Sequence, residues 1–134
     1  MSTLVRRLIA ASIAATDHRL AVQSVVSLED LTREVFVMRE PGSGTRDVAE
    51  DALRQHHIAL SIAFELGSND AVKQAVSAGL GLAIISEVTL ELELALHRLA
   101  VLNVPGLKLN RDLTHVTMTE RPHSPALAAF LKSL

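Results

Sequence analysis

A strand–turn–helix pattern that occurs twice in succession, between residues 35 and 81, constrains this chain more than any other feature. In the first copy Val35-Phe36-Val37-Met38 is β-branched and aromatic, as suits a strand. It runs into Arg39-Glu40-Pro41-Gly42-Ser43-Gly44-Thr45-Arg46 and then a helical pattern from Asp47 to His57. That helix gathers Val48, Ala49, Ala52 and Leu53 on one face and Asp47, Glu50, Asp51, Arg54 and Gln55 on the other. In the second copy Ile58, Leu60, Ile62 and Phe64 alternate with smaller or polar residues, the period of a strand. Gly67-Ser68-Asn69-Asp70 then opens a helix with Ala71, Val72, Ala75 and Val76 as its stripe, and Gly79 lies just past its end. Leu82-Ala83-Ile84-Ile85 follows as a continuous apolar run, as expected of a strand buried on both faces. Strands alternating with helices imply an α/β fold with parallel strands. Such a sheet collects its turns on one edge, where α/β proteins place ligands.

Both turns carry suitable chemistry. A strand that ends in a glycine-rich turn and opens a helix aims several backbone N–H groups at one small volume. The helix dipole behind them and an arginine beside them favour a carboxylate, a phosphate or another small polar ligand. Ser43, Gly44, Thr45 and Arg46 in the first turn, and Ser68 and Asn69 in the second, are the candidate site residues. The same residues also satisfy an ordinary strand-to-helix turn, with glycine supplying a positive φ and serine or threonine an N-cap. Local chemistry leaves both readings open.

Before the repeat, Met1 to Thr16 combines Arg6-Arg7 with the short apolar run Leu8 to Ala15. This faintly resembles a secretory signal, but the run is short and diluted by alanine, and a buried strand is the preferred reading. Asp17-His18-Arg19 is a polar break, and Ser27 with Asp30 three residues on is a variant capping box opening a short helix. After the repeat, Val88 to Leu96 mixes an alternating pattern with the i, i+4 spacing of Val88, Leu92 and Leu96. Its Leu, Glu and Ala content favours a short helix. Leu99 to Val104 reads as a strand, Pro105-Gly106 as a turn and Leu113 to Thr119 as a strand. A last helix is capped by Ser124, begins at Pro125 and shows the stripe Leu127, Phe130, Leu131 and Leu134.

Composition narrows the function. The chain has 134 residues, enough for one ordinary domain or two small lobes, and 49% of them are hydrophobic, which argues against disorder. Lys+Arg number 13 against 15 Asp+Glu, without the basic excess of a nucleic-acid binder. Three Phe, with no Trp or Tyr, leave few stacking platforms for single strands or sugars. The absence of cysteine excludes disulfides, thiolate metal sites and cysteine nucleophiles, and fits a reducing compartment. No apolar run approaches the roughly 20 residues of a membrane span. Adjacent His56 and His57 point apart on a helix, so neither a metal nor any other cofactor is expected. Gly42-Ser43-Gly44 is not the G-x-S-x-G elbow of a hydrolase, and Gly44-Thr45-Arg46 lacks the lysine of a phosphate loop. Glu40 beside Arg39 and Arg46 is better explained as an ion pair than as a general base. An enzyme is not expected.

The turn from Arg39 to Arg46 resembles that of the effector-binding domain of LysR-type transcriptional regulators, especially the branch that includes regulators of carbon fixation. Three further stretches match in order and spacing. Asp17-His18-Arg19-Leu20-Ala21 with Ser27-Leu28-Glu29-Asp30-Leu31 resembles the entry into the family's second lobe. Glu65 to Val76 with Gly79-Leu80-Gly81 resembles its second helix and glycine stop. Arg98 to Leu102, then Ser124-Pro125-Ala126 and Phe130-Leu131, resembles its return to the first lobe. The likeness spans residues 5–134.

The resemblance implies a type II periplasmic-binding-protein-like fold, two α/β lobes with the effector between them. Lobe two would cover about 34–111, and lobe one would be incomplete, with remnants at about 1–33 and 112–134. Ser43, Gly44, Thr45 and Arg46 would face the cleft from lobe two, Ser68 and Asn69 would lie beside them, and Leu82 to Ser86 would run past. The implied partner is a small anionic or polar metabolite, the location cytoplasmic and the assembly a homo-oligomer that buries exposed lobe-one surface. The family's winged helix-turn-helix has no counterpart in these residues, so direct DNA binding by this chain is not expected. A fragment of a periplasmic-type solute-binding protein is the alternative.

Overall fold

The structure, a computed structural model, describes the backbone of residues 2–116 and the side chains of residues 9–109. The apolar N-terminal stretch forms one long strand, β1 (Ser2–Ala15). Ser27 caps α1 (Leu28–Thr32) through the expected box: its hydroxyl accepts from Asp30 N at 3.0 Å, and the Asp30 carboxylate accepts from Ser27 N at 3.0 Å. Then come β2 (Val35–Arg39), α2 (Gly44–Gln55), β3 (Ser61–Leu66), α3 (Asn69–Ser77) and β4 (Ala83–Ser86). A 3₁₀ turn (Glu87–Leu90), α4 (Glu91–Ala95), β5 (Leu99–Val101) and β6 (Asn110–Val116) complete the described chain. The predicted last helix, with Leu127, Phe130, Leu131 and Leu134, lies outside the described residues, as does the end of the strand predicted to reach Thr119.

The chain divides into two compact units, Ile9–Leu109 and the pair of segments Met1–Leu8 and Asn110–Leu134. In the latter the described elements are the start of β1 and β6, which pairs with β1. The larger unit begins well before residue 34, because Leu20, Val26 and Leu31 are buried in it and Val26 N donates to Asn103 O at 2.8 Å.

In the larger unit β2 and β3 pair in parallel, and β4 joins β2 in parallel through the Phe36–Leu82 bridge. Two bonds hold that junction, Val37 N to Leu82 O at 2.7 Å and Leu82 N to Val35 O at 2.9 Å. β1 runs antiparallel to both β4 and β5. The strand order is therefore β3–β2–β4–β1–β5, with β1 alone reversed.

Alternation then sorts the side chains. Ala11, Ile13, Val37, Ala83 and Ile85 meet Val72, Ala75 and Val76 of α3, with Leu90 and Leu99, in one cluster. Leu82 and Ile84 face the other way, toward α2, which buries Val48, Ala49, Ala52 and Leu53 as its period predicts. Glycine matters at two helix borders. Gly42 (φ +95°) makes the turn into α2, and Gly79 (φ +82°) is the left-handed residue past α3.

β3 departs from its sequence pattern. A bulge between the partners of Phe36 and Val37 pairs Ile62 with Phe36 but Phe64 with Val37, so the two apolar residues lie on opposite faces. Both are also exposed, at 38% and 47%, because among the described strands β3 pairs only with β2 and ends the sheet. In α4 the expected stripe Val88, Leu92 and Leu96 faces outward; Leu90 is the fully buried residue, with Leu94 packed partly behind it.

Candidate functional site

Parallel pairing brings the C-terminal ends of β2, β3 and β4 to one edge, and the turns into α2 and α3 leave it side by side. Ser43 has an extended backbone and accepts from Arg46 N at 3.0 Å, so it is the N-cap of α2. Ser68 caps α3 in the same way, accepting from Ala71 N at 3.1 Å. In each case the hydroxyl oxygen is engaged while its O–H remains a donor. The first-turn N–H groups of Gly44 and Thr45, and of Asn69 and Asp70, have no intrahelical acceptor. Gly44 and Ser68 are exposed, Ser43 and Asn69 half-buried and Thr45 buried. Ser86 ends β4 at this edge, is itself buried, and stands opposite Ala10 of the reversed strand.

The two arginines of the first turn have different roles. Arg46 is 7% exposed, and its guanidinium is turned inward. Nε donates to Glu50 at 2.7 Å, and Nη1 donates to Glu65 at 2.6 Å and to the Arg39 carbonyl at 2.7 Å. Burial works against its charge, but the hydrogen bonds from Glu50 and Glu65 outweigh that and hold its pKa above the usual guanidinium value. Arg46 thus ties α2 to β2 and β3, on the face where Met38, Leu53 and Ile62 line a shallow groove with it.

Arg39 is the guanidinium between the turns. It lies on the opposite face of β2 from Met38, toward α3, and its Nη1 donates to Asn69 Oδ1 at 2.8 Å. Nε and Nη2 donate to the two oxygens of Glu40 at 3.1 and 2.8 Å. The Glu40 hydrogen bond raises the Arg39 pKa against the effect of burial, and the same bond lowers the Glu40 carboxyl below the usual range. Arg39 lies within the turn motif but is not among the residues that turn chemistry singles out. Strand parity is the signal that points to it: an odd-numbered position in β2 shares the face of Val37, which meets α3.

Away from this edge, Lys73 of α3 donates to Thr89 O at 2.8 Å and pairs with Glu93 of α4 at 2.6 Å. Burial opposes its charge, yet Glu93 and then Asp70 raise its pKa, and the Lys73 hydrogen bond lowers that of Glu93. The pair fastens α4 to α3.

A sheet with one reversed strand and helix N-termini collected on one edge defines an α/β lobe of the type II periplasmic-binding-protein kind. Residues 10–134 match the LysR substrate binding domain family. The chain belongs to that family. It is 41% identical over 125 residues to the HTH-type transcriptional regulator CbbR of Rhodospirillum rubrum, covering 90% of this chain and 41% of that protein. It is 40% identical over 122 residues to the RuBisCO operon transcriptional regulator of Acidithiobacillus ferrooxidans, covering 91% and 40%. The chain therefore spans about 40% of the length of these relatives. Among solved structures, the regulatory domain of Synechocystis PCC6803 CcmR in complex with 2-PG aligns with a TM-score of 0.81 at 31% identity, over 99% of this chain and 64% of that one. The effector-binding domain of QuiR in complex with shikimate aligns at 0.75 and 21% identity, over 98% and 62%, a likeness of fold.

Proposed function

We propose that this chain is the sensing part of a LysR-type transcriptional regulator and takes a small anionic or polar metabolite at the edge formed by its two helix-opening turns. The observation that carries the reading is the adjacency of two capped helix N-termini, joined by the Arg39–Asn69 hydrogen bond. Ser43, Gly44, Thr45, Ser68 and Asn69 would supply hydroxyl, amide and backbone N–H donors to the ligand. Arg46 would act from behind them, holding α2 in place. The ligand named with the CcmR domain supports an anion, and the relatives' names support a regulator of carbon metabolism.

In this reading lobe two includes Ile9–Leu109 and the remaining segments belong to lobe one. The working location is the cytoplasm, where a transcriptional regulator meets its metabolite. The chain also self-associates, and β3, which among the described strands pairs only with β2 and exposes Ile62 and Phe64, supports this. The alternative, a fragment of a solute-binding protein, has the same kind of fold but no support from the relatives' names.

Titration of the ¹⁵N-labelled chain with 2-PG, against an uncharged polyol as control, tests the site. Saturable shifts of the Gly44, Thr45, Asn69 and Asp70 amides are expected. Shifts confined to other parts of the chain would remove the assignment.

A further inference from the structure

Resting on that reading, we infer that the Glu40 carboxylate is an internal stand-in for the ligand's anionic group. It occupies the two-donor fork of Arg39 until an incoming carboxylate or phosphate displaces it.

The geometry is asymmetric in the way such an exchange needs. Arg39 is held from behind: its side chain is only 20% exposed, Nη1 is fixed by Asn69 Oδ1, and its backbone carbonyl accepts from Arg46. Glu40 lies just past the end of β2 with its side chain 46% exposed. The contact is local and unusual. Neighbouring residues on a strand point to opposite faces, and only because the chain leaves strand geometry at Glu40 can its carboxylate swing back onto the preceding guanidinium. Both oxygens then lie on Nε and Nη2, the paired geometry that guanidinium offers to carboxylate and phosphate alike.

Replacing one two-oxygen anion by another keeps Arg39 paired and releases Glu40 to water. The exchange gives up little, because half-exposed ion pairs contribute modestly. It also gives Glu40 a part in selectivity. A ligand without an anionic group cannot take its place, and the freed carboxylate stays near enough to disfavour a ligand carrying excess negative charge. Glu40 is then a specificity-determining residue and Arg39 the group that reads the anion.

The test compares the wild-type chain with Glu40→Gln, Arg39→Gln and Arg39→Lys, using 2-PG and inorganic phosphate as probes. Affinity is read by amide shifts at the two turns, and pairing by the Arg39 Nε–H resonance. Glu40→Gln keeps the shape of the side chain and removes its charge, so it should tighten binding roughly three- to tenfold. Arg39→Lys keeps a charge but loses the fork, and both Arg39 variants should bind at least about tenfold more weakly. Thermal melting of each variant shows whether it is folded, and the Glu40→Gln arm decides the matter even if an Arg39 variant is not. Turn shifts in the wild type with equal or weaker binding by Glu40→Gln would overturn the displacement and leave the site standing. Absence of turn shifts in every variant would overturn the site, and this inference with it.

Discussion

Gly81 tests the junction on which the edge depends. A β-carbon built at this glycine lies 2.8 Å from Val35 O and 3.3 Å from Val35 C, both backbone atoms of β2. Val35 O is also the acceptor for Leu82 N at 2.9 Å, so Gly81→Ala presses on the hydrogen bond that joins β4 to β2. Neither strand can yield freely, since Leu82, Phe36 and Val37 are all fully buried. Overpacking of this kind costs about 1–3 kcal/mol, and the weakened hydrogen bond adds about 1 kcal/mol. The alanine restricts the unfolded chain, which returns about 0.4–1 kcal/mol. A net loss near 2 kcal/mol corresponds to a Tm about 4–8 °C lower for a chain of this size. Gly67→Ala is the internal control, because nothing lies within 4 Å of its β-carbon position. Thermal unfolding followed by circular dichroism should place Gly67→Ala at or slightly above the wild type and Gly81→Ala well below it. A Gly81→Ala protein melting within about 1 °C of the wild type would refute the packing argument, since so small a change lies below any overpacking cost.

Two further outcomes are expected. Ser12 is 2% exposed near the C-terminal end of β1, and its hydroxyl has no hydrogen-bond partner among the described residues, so Ser12→Ala should raise stability by about 1 kcal/mol in denaturant titration; a loss of stability would mean that the hydroxyl is paired. Sedimentation should show the wild type associating with rising concentration and Ile62→Lys, at the exposed end of the sheet, associating less; a wild type that stays monomeric at high concentration would remove β3 as a contact surface.

Much of the fold was legible because local signals and tertiary packing agree. The capping box at Ser27, the apolar stripes of α2 and α3, the left-handed Gly79 and the doubly buried β4 all follow from short-range rules, and the sheet buries the residues those rules point to. The misses came where one residue changes parity or where burial depends on a neighbour distant in sequence. The clean alternation from Ile58 to Phe64 placed Ile62 and Phe64 on one face, and no sequence signal marked the bulge that separates them. Val88, Leu92 and Leu96 keep helical spacing, yet the chain turns Leu90 inward, because the 3₁₀ turn before α4 shifts the angular phase of the helix. The site was legible only as an open choice: turn chemistry leaves Ser43 and Ser68 as ligand donors or as N-caps, and the structure shows that both cap their helices. What the turn motif could not say was which arginine faces which way.

That division of labour between the arginines follows from elementary constraints. Arg46 is the third residue of α2, where the helix packs on the sheet, so its guanidinium is drawn out of water. A buried cation is tolerated only when paired. Glu50 one turn along the helix, Glu65 on β3 and a strand-end carbonyl supply partners, and by doing so they turn the charge away from the edge. Arg39 is placed by strand parity instead. The same alternation that puts Val37 in the core carries Arg39 to the rim beside Asn69, where the half-exposed Glu40 pairs with it. On the proposed reading, the turn has one arginine that builds the edge and one that would read what arrives there. Exchanging their expected sensitivities gives the distinction experimental content: substitutions at Arg46 should lower stability and affinity together, whereas Arg39→Lys should lower affinity with little effect on melting. If both substitutions lowered melting equally, Arg39 would be a second structural tie rather than the reading group.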